Sequence, residues 1–299
     1  MHREDLSPWE HPHAFGTRAQ TRGERRTHWV VALTLAMMVL EIAAGTLFGS
    51  MALLADGWHM GTHAAALGVA VLAYAYARRH ADDPRYSFGT GKVGALGGFA
   101  SATGLAVIAA LIFAGSAERL AAPVAIRFDE AIAVACLGLA VNVVCALLLR
   151  DEDHHADHAH HDHNLRGAYL HVLADALTSL LAIAALTAGK LLGWTWMDPV
   201  MGLVGSLIIA RWSIGLLRDT SRVLLDAEVS SARKDAIRRA VEADGDARVS
   251  DLHVWRVGPR HLAAIVCLVA DDPRAPADYK RRLAGEADLV HVTVEVNAC

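Results

Sequence analysis

Residues 93–117 (VGALGGFASATGLAVIAALIFAGSA) run for 25 positions without a charged side chain, and residues 131–149 are equally free of charge. About 20 apolar residues suffice for a helix to cross roughly 30 Å of hydrocarbon. Backbone polar groups there must be satisfied within the segment, so such runs demand helices. The rest of the chain is consistent with a membrane protein: 54% of the 299 residues are apolar, and the charges gather between the apolar runs.

Six apolar segments can be marked, at about 28–48, 52–77, 92–117, 129–149, 166–189 and 198–217. The first 27 residues are polar, contain prolines and lack the apolar core of a signal peptide, so they read as a flexible soluble tail. Gly94, Gly97, Gly98 and Gly104 in the third segment, and Gly202 and Gly205 in the sixth, are expected to let helices approach closely. Cys136, Cys145, Cys267 and Cys299 are scattered and suggest no disulfide scaffold.

From about residue 223 the pattern changes. SSARKDAIRRAVEADG has helical spacing with Ser230 or Ser231 as N-cap. VSDLHVWRVG and HLAAIVCLVA read as strands joined at a Gly-Pro turn; a helix near APADYKRRLAGEA and a final strand, LVHVTVEVNA, follow. The expected fold class is therefore an α-helical membrane protein of six transmembrane helices with a small cytosolic α+β C-terminal domain of ferredoxin-like, metallochaperone-like order. Its expected divisions are a tail over 1–27, a membrane domain over 28–222 with a histidine-rich loop at 151–164, and the α+β domain over 223–299.

Basic residues orient the chain. Arg3, Arg18, Arg22, Arg25 and Arg26 lie in the tail, Arg78, Arg79, Arg85 and Lys92 in the second connection, and Arg218 and Arg222 after the sixth segment. The first connection has none, the third Arg119 and Arg127, and the fifth only Lys190. By the positive-inside rule both termini face the cytoplasm, in the multi-pass topology of a cytoplasmic (inner) membrane protein.

Ionisable residues inside spans are costly and mark pathways or sites. Among those here are Glu41 in the first segment, Asp56, His59 and His63 entering the second, and His171 and Asp175 in the fifth, with Asn142 as a polar addition in the fourth. Residues four apart on a helix are separated by about 40° around its axis and about 6 Å along it. His59 and His63 thus share a face, as do His171 and Asp175. Two facing helices would bring together three imidazoles and a carboxylate, a donor set suited to tetrahedral zinc or cobalt. A lone intramembrane histidine is more often hydrogen-bonded to a neighbour; two matched pairs favour a metal. A second metal signal is DEDHHADHAHHDH, where His154, His155, His158, His160, His161 and His163 alternate with acids. The tract reads as a metal-collecting loop or, more blandly, a polar spacer.

These features together resemble the cation diffusion facilitator family of metal transporters. LEIAAGTLFGSMALLADGWHM is similar to the family's first-span glutamate and second-span entry. RYSFGTGKVGAL resembles its second connection, HVLADALTSLLA its fifth span, and LLDAEV with DLHVWRVG its cytosolic domain. The resemblance implies a homodimer that exports divalent metal from the cytosol by proton exchange, with the transport site on the second and fifth spans and no prosthetic group. Zinc members commonly carry His-x-x-x-Asp in the second span. The His-x-x-x-His here, ending at His63, resembles a bacterial cobalt and nickel branch, the DmeF-like exporters. An imidazole in place of a carboxylate disfavours hard ions such as magnesium and manganese, but does not separate cobalt, nickel and zinc. Thr90 stands where some relatives have a histidine, so no site is expected in that loop. His253 matches a position that can bind metal between protomers, with Cys267 and Glu295 as companions, and Asn297 replaces an acid of some relatives; a structural role for His253 is the alternative.

Metal binds neutral imidazole and ionised carboxylate, so loading displaces protons and unloading readmits them. Asp56 reads as a helix-entry residue, an orienting partner of an imidazole, or a proton acceptor. Glu41 lines the outward path or bonds between helices. A zinc-preferring exporter and a membrane-anchored metal sensor are the other readings. No HExxH motif appears, and a filled four-ligand set leaves no place for a catalytic water, so an enzyme is not expected. The partners expected are divalent cations, protons, the lipid bilayer and a second copy of the chain, with no nucleic acid.

Overall fold

The computed structural model describes residues 24–299 apart from 82, 151–161, 228, 244 and 260, and side chains apart from those of 24–31, 62–67, 70, 146–150 and 162–175. Six long helices come first: α1 Glu24–Phe48, α2 Met51–Arg79, α3 Val93–Ala121, α4 Phe128–Arg150, α5 Asp162–Leu192 and α6 Met197–Leu224. They are followed by α7 Ser231–Val241, β1 Arg248–Gly258, β2 His261–Ala270, α8 Pro276–Arg282 and β3 Leu289–Ala298. Among the described residues, α3, α6 and the stretch Phe128–Cys145 of α4 are each long and apolar enough to cross a membrane. Shorter apolar stretches, Ala32–Phe48 and Ala176–Leu192, lie in α1 and α5.

The chain forms two compact units. One takes residues 24–68 and 100–216, and among the described residues its interior is split between two clusters. Met51, Ala55, Leu105, Ala109, Ile112 and Ile209 gather α2, α3 and α6. Ala44, Leu53, Ala131, Ala135 and Leu186 gather α1, α2, α4 and α5. Alanines make up three of the five in the second cluster and two of the six in the first; hydrocarbon offers no hydrophobic gain for burying large side chains, so close approach supplies much of the packing energy. The break between α1 and α2 is two residues, Gly49 and Ser50; Gly49 turns in left-handed backbone at φ 76°, which a glycine adopts without steric cost.

The other unit comprises residues 69–99 and 217–299. Its three-stranded sheet has the order β1-β2-β3, antiparallel between β1 and β2 and parallel between β2 and β3. Strand alternation puts Leu252, Val254, Ala264, Val266, Leu268 and Val294 on one face, where α7 and α8 cover them with Ile237, Val241, Tyr279 and Leu283. Helix α7 starts after Ser230 as expected, but Ser230 makes no side-chain cap; its carbonyl takes the Arg233 and Lys234 amides instead. In the same unit Lys92 pairs with Asp226, which occupies left-handed backbone at φ 54°, a conformation aspartate tolerates. In the turn before α3, the Arg85 guanidinium binds Asp83 and holds its carboxyl down at about 2.

Of the glycines expected to mediate close approach, four do. A Cβ at Gly97 would strike Val69, one at Gly98 would press on Thr220, and ones at Gly202 and Gly205 would strike Met51 and Ala55. Gly94 and Gly104 have open space where a Cβ would stand, so their small size serves no contact in the described chain.

Candidate functional site

Helix α2 carries Asp56 and His59 one turn apart, both 6% exposed. Asp56 accepts hydrogen bonds from Ser179 Oγ at 2.7 Å and Thr178 Oγ1 at 3.3 Å, which ties α2 to α5. Asn142 on α4 reaches Ser179 Oγ at 3.4 Å and extends the polar chain to a third helix. The His59 ring lies 5.3 Å from the Trp212 ring of α6, tilted by 49°. A cavity of about 60 Å³ opens beside these groups, lined by Asp56, His59, Thr178, Met201 and Gly205 among others. That volume holds a dehydrated ion with one or two waters.

The helix-entry reading of Asp56 does not hold: α2 begins at Met51, so Asp56 stands in its second turn and bridges to α5. His63 follows on α2, and His171 and Asp175 lie on α5, but their side chains are outside the described residues. Thr178 and Ser179 are three and four residues after Asp175 and so share its helix face. A turn of hydroxyls following HVLAD is the sequence signal that would have found them.

Glu41 on α1 is fully buried, and neither carboxyl oxygen has a hydrogen-bond partner among the described residues. Its side chain runs against glycines on two other helices. A Cβ at Gly57 would stand 2.9 Å from Glu41 Cβ, and one at Gly138 would overlap Oε1. A carboxylate without donors is expensive in such surroundings and calls for a compensating proton or cation.

A second polar knot joins the starts of α2 and α6. Asp198, 1% exposed, accepts from Ser50 Oγ at 2.6 Å, Met51 N at 2.8 Å and Ala52 N at 3.1 Å. Sequence reasoning passed over Asp198 because an Asp-Pro pair at a helix start looks like an ordinary first turn.

The histidine-rich tract His154, His155, His158, His160 and His161 lies outside the described residues, as does the side chain of His163 at the start of α5. In the sheet, Asp251, His253, Cys267 and Glu295 all stand on the face opposite the core. His253 Nε2 meets Asp251 Oδ2 at 2.9 Å, and Cys267 Sγ lies 3.7 Å from Glu295 Oε2. Burial, then the Glu295 carboxylate, pushes the Cys267 thiol up, away from its metal-binding thiolate form. Among the described residues no three His, Cys, Asp or Glu side chains converge closely enough to hold a metal ion. Thr90 is buried and donates to the Ala77 carbonyl at 3.0 Å.

Residues 28–225 match the cation efflux transmembrane domain. The zinc transporter ZitB of Escherichia coli (strain K12) is 35% identical over 85% of this chain and 80% of its own. The metal cation efflux system protein CzcD of Cupriavidus metallidurans is 30% identical over 91% and 86%. The cadmium, cobalt and zinc/H(+)-K(+) antiporter of Bacillus subtilis is 27% identical over 87% and 84%. A match of this extent, together with apolar helices and a small sheet domain at the C-terminus, establishes that the chain belongs to the cation diffusion facilitator family of membrane cation-efflux transporters.

Proposed function

We propose that this transporter moves divalent cobalt, nickel or zinc out of the cytosol across the cytoplasmic membrane in exchange for protons, as a homodimer without enzymatic activity. The observation that carries this reading is the buried Asp56 and His59 pair at a small cavity among apolar helices, tied by hydrogen bonds to α5. His59 and His63 from α2 and His171 and Asp175 from α5 are the proposed transport ligands. Asp56 is their hydrogen-bonded support, and Glu41 a proton-carrying group beside the path. Loading the site releases protons from imidazole and carboxyl groups, and emptying it returns them, so alternate exposure to the two sides couples the flows.

Residues 28–222 are then the membrane part and 223–299 the cytosolic part, with both termini inside. Loop 151–164 collects metal at the cytosolic mouth. His253, with Cys267 and Glu295, would complete a metal site only with ligands from a second protomer. Zinc preference is the second reading, favoured by the name of the ZitB relative.

The test is metal flux into proteoliposomes under a proton gradient, compared for cobalt, nickel, zinc and manganese. Either His171→Ala or Asp175→Ala reduces the flux to background, at least about a hundredfold, as loss of a ligand from a four-donor site implies. Normal flux in either variant would mean that the ligands are wrongly assigned.

A further inference from the structure

We propose that Asp198 is a positioning residue for transport: it pins the start of α6 to the start of α2 and thereby fixes the stretch of α2 that carries Asp56 and His59. The inference rests on the reading of α2 as a ligand-bearing helix, and adds a group that lies outside the ligand set.

The first amides of any helix lack partners within it, and a side chain from its own N-cap residue normally serves them. At α2 the side chain of the N-cap residue, Ser50, serves only the Leu53 amide, and the acceptor for the two amides before it comes from Asp198, 148 positions after Ser50. Both Asp198 oxygens are used: Oδ2 takes Met51 N, while Oδ1 takes Ala52 N and the Ser50 hydroxyl. Ser50 Oγ in turn accepts Leu53 N at 3.1 Å, so one buried carboxylate organises the first turn of α2. Bonds from a charged acceptor to helix-start amides are strong, and the positive end of the helix dipole adds to them.

The knot begins a longer seam. Asp198, Gly202, Gly205, Ile209 and Trp212 follow one another at steps of four, three, four and three along α6, and so lie on one face. Opposite them come Ser50, Met51, Ala55 and His59 in the same order along α2. A Cβ at Gly202 would stand 2.8 Å from Met51 Cβ, and one at Gly205 the same distance from Ala55 Cβ. The two helices therefore run parallel, pinned at their starts and in backbone-close contact for two turns. The seam meets the His59 ring at Trp212. A shift or rotation of α2 at Asp198 would carry His59 with it.

The experiment is a double-variant cycle on the full-length protein in proteoliposomes, with Ser50→Ala, Asp198→Asn and both together, measuring zinc and cobalt flux against concentration. Amide hydrogen exchange at Met51 to Leu53 is followed in parallel. Asp198→Asn should lower the maximal rate about tenfold and Ser50→Ala about threefold, as loss of cap bonds implies. KM should stay within about threefold, and the double variant should be no slower than Asp198→Asn alone, because both act through one contact. Exchange at the three amides should speed up in Asp198→Asn. Multiplying single effects, an unchanged maximal rate with KM raised tenfold, or unaltered exchange would each overturn the proposal. The second of these would make Asp198 a metal-binding group. If Asp198→Asn is not recovered folded, a wild-type rate in Ser50→Ala overturns it alone. The exchange measurement needs no transport, so it separates failure of the clamp from failure of the transport reading.

Discussion

His63 is the proposed ligand at which this chain departs from the zinc-type pattern of its family. Imidazole at that position lowers the charge of the donor set and favours softer, nitrogen-seeking ions. His63→Asp is expected to shift the ratio of zinc to cobalt flux toward zinc by at least about threefold, that is by about 0.7 kcal/mol or more on the scale where tenfold is 1.4. An unchanged ratio in proteoliposomes would remove His63 as the selectivity residue. The transport residues are proposed from four-residue spacing in an apolar segment, which is a local, one-helix signal. Asp198 was not, because its meaning depends on Ser50, far away in sequence, and nothing local distinguishes a capping aspartate from a loop one. Glu41 was legible as a costly residue, but its seat against Gly57 and Gly138 became visible only when three helices were placed together.

At the level of elements, the six long helices and the helix–strand–strand–helix–strand order agree with the sequence reading, while the helix ends do not. Helix α6 continues to Leu224, beyond Arg218 and Arg222, and α5 starts at Asp162. Hydropathy marks the apolar length of a segment, whereas hydrogen bonding continues the helix into polar sequence. The small residues were equally ambiguous: Gly104 and Gly205 look alike in sequence, yet only Gly205 has a neighbouring helix within reach. Gly205→Ala should therefore destabilise the protein by about 1–3 kcal/mol through overpacking against Ala55. Gly104→Ala should be neutral or slightly stabilising, because alanine favours helix. Thermal unfolding of the two variants in detergent checks the contrast, and equal midpoints would mean that the α2–α6 seam is looser than described.

On the scale of the whole molecule, a membrane transporter must register itself against the bilayer as well as against its own helices. Trp194 and Trp196, on the turn before α6, are both about half exposed, and their rings lie 6.4 Å apart in a stacked pair. Amphipathic rings of this kind settle at the headgroup level. The pair precedes Asp198 by four and two residues, so whatever fixes the depth of these rings also fixes the height of the knot on α2. Bilayer thickness is therefore expected to act on the transport cycle. In vesicles of graded acyl-chain length, the flux of the native protein should pass through a maximum. The Trp194→Ala/Trp196→Ala variant should show a flatter profile, since mismatch then acts on α6 without an anchor. An identical thickness profile in both proteins would show that the tryptophans ride on the membrane without setting its reach.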